Sequence, residues 1–162
     1  MNRILIENYI HQLSEIHSGS PWIDETFKKK IDALSDEDVF AKPHSQVHSV
    51  AEQVSHLTEW RKVIAGALAG FPYESIFDTP ANWKSNDELK KMGWGKLKKE
   101  FYESHQEIIS LLEKQQDAWL GKVYAGGYKM KYLVEGLMHH DLYHLGQIGI
   151  AIKFLKNLNG EC

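Results

Sequence analysis

The stretch HHDLYHLGQI, residues 139–148, places three of the chain's nine histidines within six positions. His140 and His144 are four residues apart, and on a helix such residues project from one side with Cβ atoms about 5–6 Å apart. Both imidazoles then reach a single divalent metal, whose bonds to nitrogen are about 2.0–2.1 Å long. The same two positions fall in an apolar stripe. A histidine buried there without a metal must satisfy both a donor and an acceptor. Spacing alone leaves two readings open: a metal pair, or core histidines hydrogen-bonded within the fold. A second pair at this spacing, His44 and His48, stands between Pro43 and a helix cap at Ser49. No helix would hold it there, and it reads as coincidence.

In a helical bundle, further ligands come from facing helices. His56 is the best distant partner, one step from the apolar stripe of its helix and on the side of Gln53, Trp60, Val63 and Ala67. His105, within another apolar pattern, competes with it. His139 points about 100° away from His140, toward the edge of the stripe or solvent. His11 and His17 lack comparable context. Two carboxylates lie near the candidate ligands, Glu59 after His56 and Asp141 beside His140. They read first as solvated groups or as partners to the ligands. Trp60 and Tyr143 could line a pocket mouth, although aromatics at helical spacing are commonly core. Gly146 would admit another backbone closely, and Gln147 could hydrogen-bond a neighbouring helix.

The elements that must position these residues are helices. Apolar residues mark a first helix over Asn2–His17, through Ile4, Leu5, Tyr9, Leu13 and Ile16. Ser20 and Pro21 suit the start of a renewed helix carrying Phe27 and Ile31, and SDEDVF at 35–40 a short capped turn. Ser49 and Glu52 form a capping-box pattern. The helix they open carries Val50, Val54, Leu57, Arg61, Ile64 and Leu68 on one face and should end near Gly70. From Phe71 to Asn86 runs a long loop, of a length that in a small domain usually serves function. Ser85 is a cap candidate and Gly93 a kink. A third long helix shows Leu97, Phe101, His105, Ile108 and Leu112. After a turn at 125–127, the last helix runs over Met130–Lys156, with Leu133, Leu137, His140, His144, Ile148, Ala151 and Leu155 inward. No strand of consequence is predicted. The expectation is an all-α four-helix bundle over residues 1–162, one domain, with a long loop between the second and third helices.

Composition narrows the function classes. A chain of 162 residues can bury a core without disulfides. The formal net charge of −3 offers no broad attraction to nucleic acid or an anionic membrane. Cys162, the lone cysteine, can make neither an internal disulfide nor a cysteine-rich zinc site. The first residues read as an amphipathic helix, neither a signal peptide nor a membrane span, so a cytoplasmic location is expected.

SVAEQVSHLTEWRKVIAGALAG at 49–70 and LVEGLMHHDLYHLGQIGIAIK at 133–153 resemble the two signature segments of the DinB-like superfamily. Their separation also fits, as do GSPW at 19–22 and the Trp-containing middle segment, so the resemblance spans nearly the whole chain. Its specific part is SHL on the second helix combined with HDLYHLGQI on the last. The resemblance implies a four-helix bundle that binds a divalent metal through three histidines, carried by motif position onto His56, His140 and His144. No ligand role is carried onto His139.

Three neutral ligands leave a metal its full charge and an open position, as in catalytic sites. Zinc or nickel suits three imidazoles. Characterised relatives include metal-dependent transferases that use low-molecular-weight thiols such as bacillithiol, and mycothiol-dependent isomerases; others are taken for hydrolases. The expectation is therefore a metal-dependent thiol S-transferase or hydrolase acting on a small-molecule substrate, in a homodimer. The alternative is a non-enzymatic, metal-stabilised or metal-sensing bundle dimer. A nucleic-acid role, which the family's historical link to DNA damage would suggest, finds no basic stripe or base-stacking motif.

Overall fold

Apolar residues recurring every three or four positions give each long segment one face that must leave water, and the four faces meet in a bundle. In the computed structural model, residues 2–124 and 127–158 are described; Cys162 and the first two residues of the expected 125–127 turn lie outside them. The helices are α1 (Ile4–Ser18), α2 (Phe27–Asp32), α3 (Asp36–Phe40), α4 (Val50–Leu68), α5 (Asn86–Met92), α6 (Trp94–Glu113) and α7 (Met130–Leu158). A short 3₁₀ turn, Asp117–Gly121, follows α6. The described residues contain no strand, only an isolated antiparallel bridge between Val123 and Lys129 just before α7.

The four long helices α1, α4, α6 and α7 form the bundle. α4 packs against α6 and α7, and α1 packs against the same two, so α1 and α4 occupy opposite corners. The long chain between α4 and α6, including α5, is the expected loop.

Local chemistry explains most boundaries. Ser49 accepts from the Glu52 amide while the Glu52 carboxylate accepts from the Ser49 amide, closing the capping box of α4. Ser85 and Glu88 repeat the arrangement at α5. Gly93, at φ +84°, stops α5 and lets α6 start at the next residue; an L side chain would be strained there.

One local expectation is corrected. α2 starts after Thr26, whose hydroxyl accepts from the Lys29 amide, and not after Ser20; Trp22 stands 99% exposed outside it. Thr26 wins because its following turn can bury Phe27 and Ile31, whereas helix over Trp22 and Ile23 would gain no burial. On α1 the inward face is Ile6, Tyr9, Leu13 and Ile16, leaving Ile4 and Leu5 exposed.

Candidate metal centre

α4 and α7 are adjacent, and both put histidines into the seam between them. His56 is on α4, His140 and His144 are on α7 one turn apart, and their ligand atoms all lie within 4.8 Å of one another. His56 and His144 are buried and His140 is half-buried. The His56 and His140 Nε2 atoms are 3.0 Å apart. Two nitrogens bound to one tetrahedral ion at the bond lengths above would stand about 3.3 Å apart, so little movement separates this arrangement from coordination.

Hydrogen bonds sort the nitrogens. His56 Nδ1 is 2.9 Å from the Asn82 carbonyl oxygen, which can only accept, so Nδ1 carries the proton and Nε2 presents a lone pair. That lone pair faces the other imidazoles. His144 Nδ1 is buried with no hydrogen-bond partner among the described residues. A buried nitrogen without a partner is costly, and an ion shared with its neighbours removes the cost. The donor set fits a divalent metal ion.

Electrostatics keeps the three rings neutral, the form that binds metal. Burial pushes His56 below its ordinary value, against the pull of its Asn82 hydrogen bonds. Burial, then His56 and Arg61, brings His140 down to about 4. Burial, then His140 and His56, brings His144 to about 3.

The loop ahead of α5 braces the cluster. Trp83 lies flat on His56, ring centroids 3.9 Å apart, and its other side stacks on His48 at 3.7 Å. Asn82 is buried; its Oδ1 accepts from Trp60 Nε1 at 2.9 Å and its Nδ2 donates to the Phe77 carbonyl. Glu59 pairs with Lys84 at 2.9 Å and with Lys62 at 3.1 Å, tying α4 to the residue after Trp83. Burial disfavours the Glu59 carboxylate, but the two lysines hold it below its ordinary value. It is therefore a tether rather than a free base.

Asp141 points away into the bundle, where Arg61 Nη2 donates to it at 2.7 Å and Nε at 3.3 Å. Burial holds the Asp141 carboxyl above its ordinary value although the guanidinium beside it pulls down; the two-pronged contact has the geometry of a charge-assisted ion pair.

A cavity of about 390 Å³ opens beside the cluster, with His56 and His140 in its wall together with Trp60, Trp83 and Leu137. Tyr143 lies elsewhere: it is exposed and edge-on to His144, its ring centroid 5.1 Å away. His105, the competing third ligand, stacks instead on His17 at 3.8 Å. His139 is exposed. His48, read as half of a coincidental pair, is the outer plate of the Trp83 stack.

Sequence reasoning missed Asn82 and Trp83 as parts of the site. Of the two, pattern could have flagged only Trp83, one of several large aromatics in the long loop. It also passed over Arg61, whose place in an apolar stripe demands a buried counter-charge.

No curated protein matches the chain. The sequence model of the DinB superfamily matches residues 25–148, a span that holds all three histidines, Asn82 and Trp83. With most of its length covered by that match, the chain belongs to the DinB superfamily.

Proposed function

We propose that this protein is a metal-dependent enzyme that acts on a small molecule at the three-histidine site, with zinc or nickel as the ion. One observation carries the reading: His56 and His140 belong at once to the histidine cluster and to the wall of the 390 Å³ cavity. A purely structural ion would be closed off on all sides by protein ligands, with no chamber beside it.

A divalent ion held there would supply a Lewis acid, polarising a substrate oxygen or favouring the thiolate form of a thiol. The chain's own residues do the rest. The Asn82 carbonyl fixes the His56 tautomer, so that Nε2 keeps its lone pair on the cluster side. Trp83 fixes the ring plane by stacking. Trp60, Ile64 and Leu137 make the inner wall apolar, which strengthens any charge interaction within it.

Among the described residues no carboxylate lines the cavity. Glu59 is held by lysines and Asp141 by Arg61, so neither is a free proton acceptor for an attacking water. This favours thiol transfer over hydrolysis, because a thiol needs only to be held as its thiolate.

The test is metal analysis of protein purified without chelator or His-tag, beside the His56→Ala, His140→Ala, His144→Ala triple variant. The expected result is near-stoichiometric zinc or nickel in the wild type and none in the variant. Cobalt-substituted protein should then change its visible spectrum when titrated with a small thiol. A wild type that refuses zinc, nickel, manganese and cobalt overturns the metal reading, and a cobalt spectrum indifferent to thiols overturns the thiol reading.

A further inference from the structure

The wall of the cavity is unusual in what it omits. Among the described residues its lining includes no aspartate, glutamate, lysine or arginine. The ionisable groups present among the described residues are His56, His140 and tyrosines. Glu135, next to Gly136 in the chain, faces other partners: it accepts from Tyr9 Oη at 2.8 Å and pairs with Lys131 at 3.5 Å.

In place of charge the wall offers rings. Trp60 and Trp83 stand at the histidine end. Tyr73 and Tyr124 also line the cavity and meet edge-on at 6.0 Å. Tyr124 and Tyr132 belong to a stack through Tyr128, with centroid separations of 6.2 and 4.5 Å. Phe77 and Tyr132 line the same cavity while remaining 69% and 57% exposed. Large aromatics left in solvent around a cavity that already holds polar ligand atoms are what a ligand-binding mouth presents.

From this geometry we infer that the site selects an uncharged, ring-bearing molecule that carries a single donor atom at the end facing His56 and His140. The inference rests on the metal reading for the donor end and on the cavity wall for the body. A ligand body bearing a carboxylate or phosphate would lose its hydration and find no cation in the wall to replace it. A cationic body would gain from the ring faces but would share a small apolar chamber with a divalent ion. A neutral aromatic body meets neither objection and gains offset and edge-to-face contacts with the rings.

The experiment uses three probes of one shape: 2-naphthol, 2-naphthoate and 2-naphthylmethylammonium. Binding is followed by calorimetry at neutral pH, to the full chain both loaded with zinc and stripped by chelator. On the stripped protein naphthol should bind at least tenfold more tightly than either charged probe. On the loaded protein naphthol should still bind more tightly than the ammonium.

Gly136→Leu provides the blocking variant. A side chain there meets nothing within 4 Å, so it enters open space at the cavity wall and favours the helix it sits on. It should lose naphthol binding while keeping zinc uptake. Phe77→Arg, at an exposed position, should shift preference toward naphthoate by tenfold or more. If stripped protein binds naphthoate or the ammonium as well as naphthol, or binds none of them, the ligand class is wrong while the metal reading stands or falls on its own assay. If naphthol binds normally to a chain that takes up no metal, the ring-lined cavity is upheld and the metal reading fails.

Discussion

A histidine alone on an apolar stripe says little; what gives His56 its meaning is the residue behind it. Its Nδ1 donates to the Asn82 carbonyl, and the Asn82 side chain bridges Trp60 Nε1 to the Phe77 carbonyl. Removing that side chain should leave all three histidines in place but loosen the loop that orients one of them. Outer-shell changes of this kind cost roughly 10–100-fold in metal affinity. Asn82→Ala should therefore bind zinc roughly 10–100-fold more weakly, read by competition with a chromophoric chelator; an unchanged affinity would show that Asn82 does not orient the ligand. At this scale the sequence was informative only where periodicity reached. His140 and His144 were legible as a pair because one helix carries both. Asn82 and Trp83 were not, because they arrive from a loop whose path depends on tertiary contacts such as Glu59–Lys84. Tyr143 shows the opposite limit: it neighbours His144 in sequence, yet helical geometry turns it outward.

At the scale of elements, the bundle's registers are set by what crosses between helices. Arg61 on α4 is 1% exposed, bound two-pronged to Asp141 on α7 and lying over the Phe101 ring of α6 at 4.3 Å. It also donates to the Phe101 carbonyl at 3.4 Å. One guanidinium thus joins three of the four long helices. Removing one partner of a buried ion pair strands the other, at about 3–5 kcal/mol, whereas replacing both with apolar residues is often nearly neutral. Asp141→Ala should lose about 3–5 kcal/mol in urea denaturation, and Arg61→Leu with Asp141→Leu should regain most of it. Equal losses in the single and double variants would mean that α4 and α7 are held by packing there, not by the pair. Capping residues were readable because their chemistry is local: Ser49, Ser85 and Ser35 all cap where the sequence suggested. Ser20 had the same local credentials and fails, because the choice between Ser20 and Thr26 depends on which following turn reaches the core.

Across the whole molecule the apolar core is divided in two, and the dividing layer is polar. One half gathers Leu13, Ile64, Ile108 and Leu137; the other gathers Ile16, Leu57, Phe101 and Leu145. Between them α4, α6 and α7 contribute the buried polar groups Arg61, His105 and Asp141, and His17 of α1, one residue past Ile16, packs onto His105. His17 and His105 stack at 3.8 Å, and His17 Nδ1 has no hydrogen-bond partner among the described residues. Burial, then the neighbouring His105 and Arg61 charges, brings His17 to about 2; burial, then Arg61, brings His105 to about 3. The helix periods predicted that Arg61 and His105 face inward, but neither the burial of His17 and Asp141 nor the meeting of these groups, which depends on the axial offset between helices. The layer fixes how the protein responds to acid. Below the ordinary histidine value near 6.5, the unfolded chain takes up protons that both native rings refuse, so stability is full above that pH and falls as pH drops toward 3. Each ring contributes a loss of about 1.4 kcal/mol per pH unit within that window. With chelator present throughout, so that the metal-site histidines contribute alike, wild type should lose stability from pH 6.5 downward more steeply than His105→Leu. Urea midpoints taken along that acid series measure both slopes. Removing His105 takes away one of the two rings, so the variant's slope should fall by about the contribution of that ring. Parallel slopes would mean that the stacked pair already holds its protons in the native state and that burial does not keep this layer neutral.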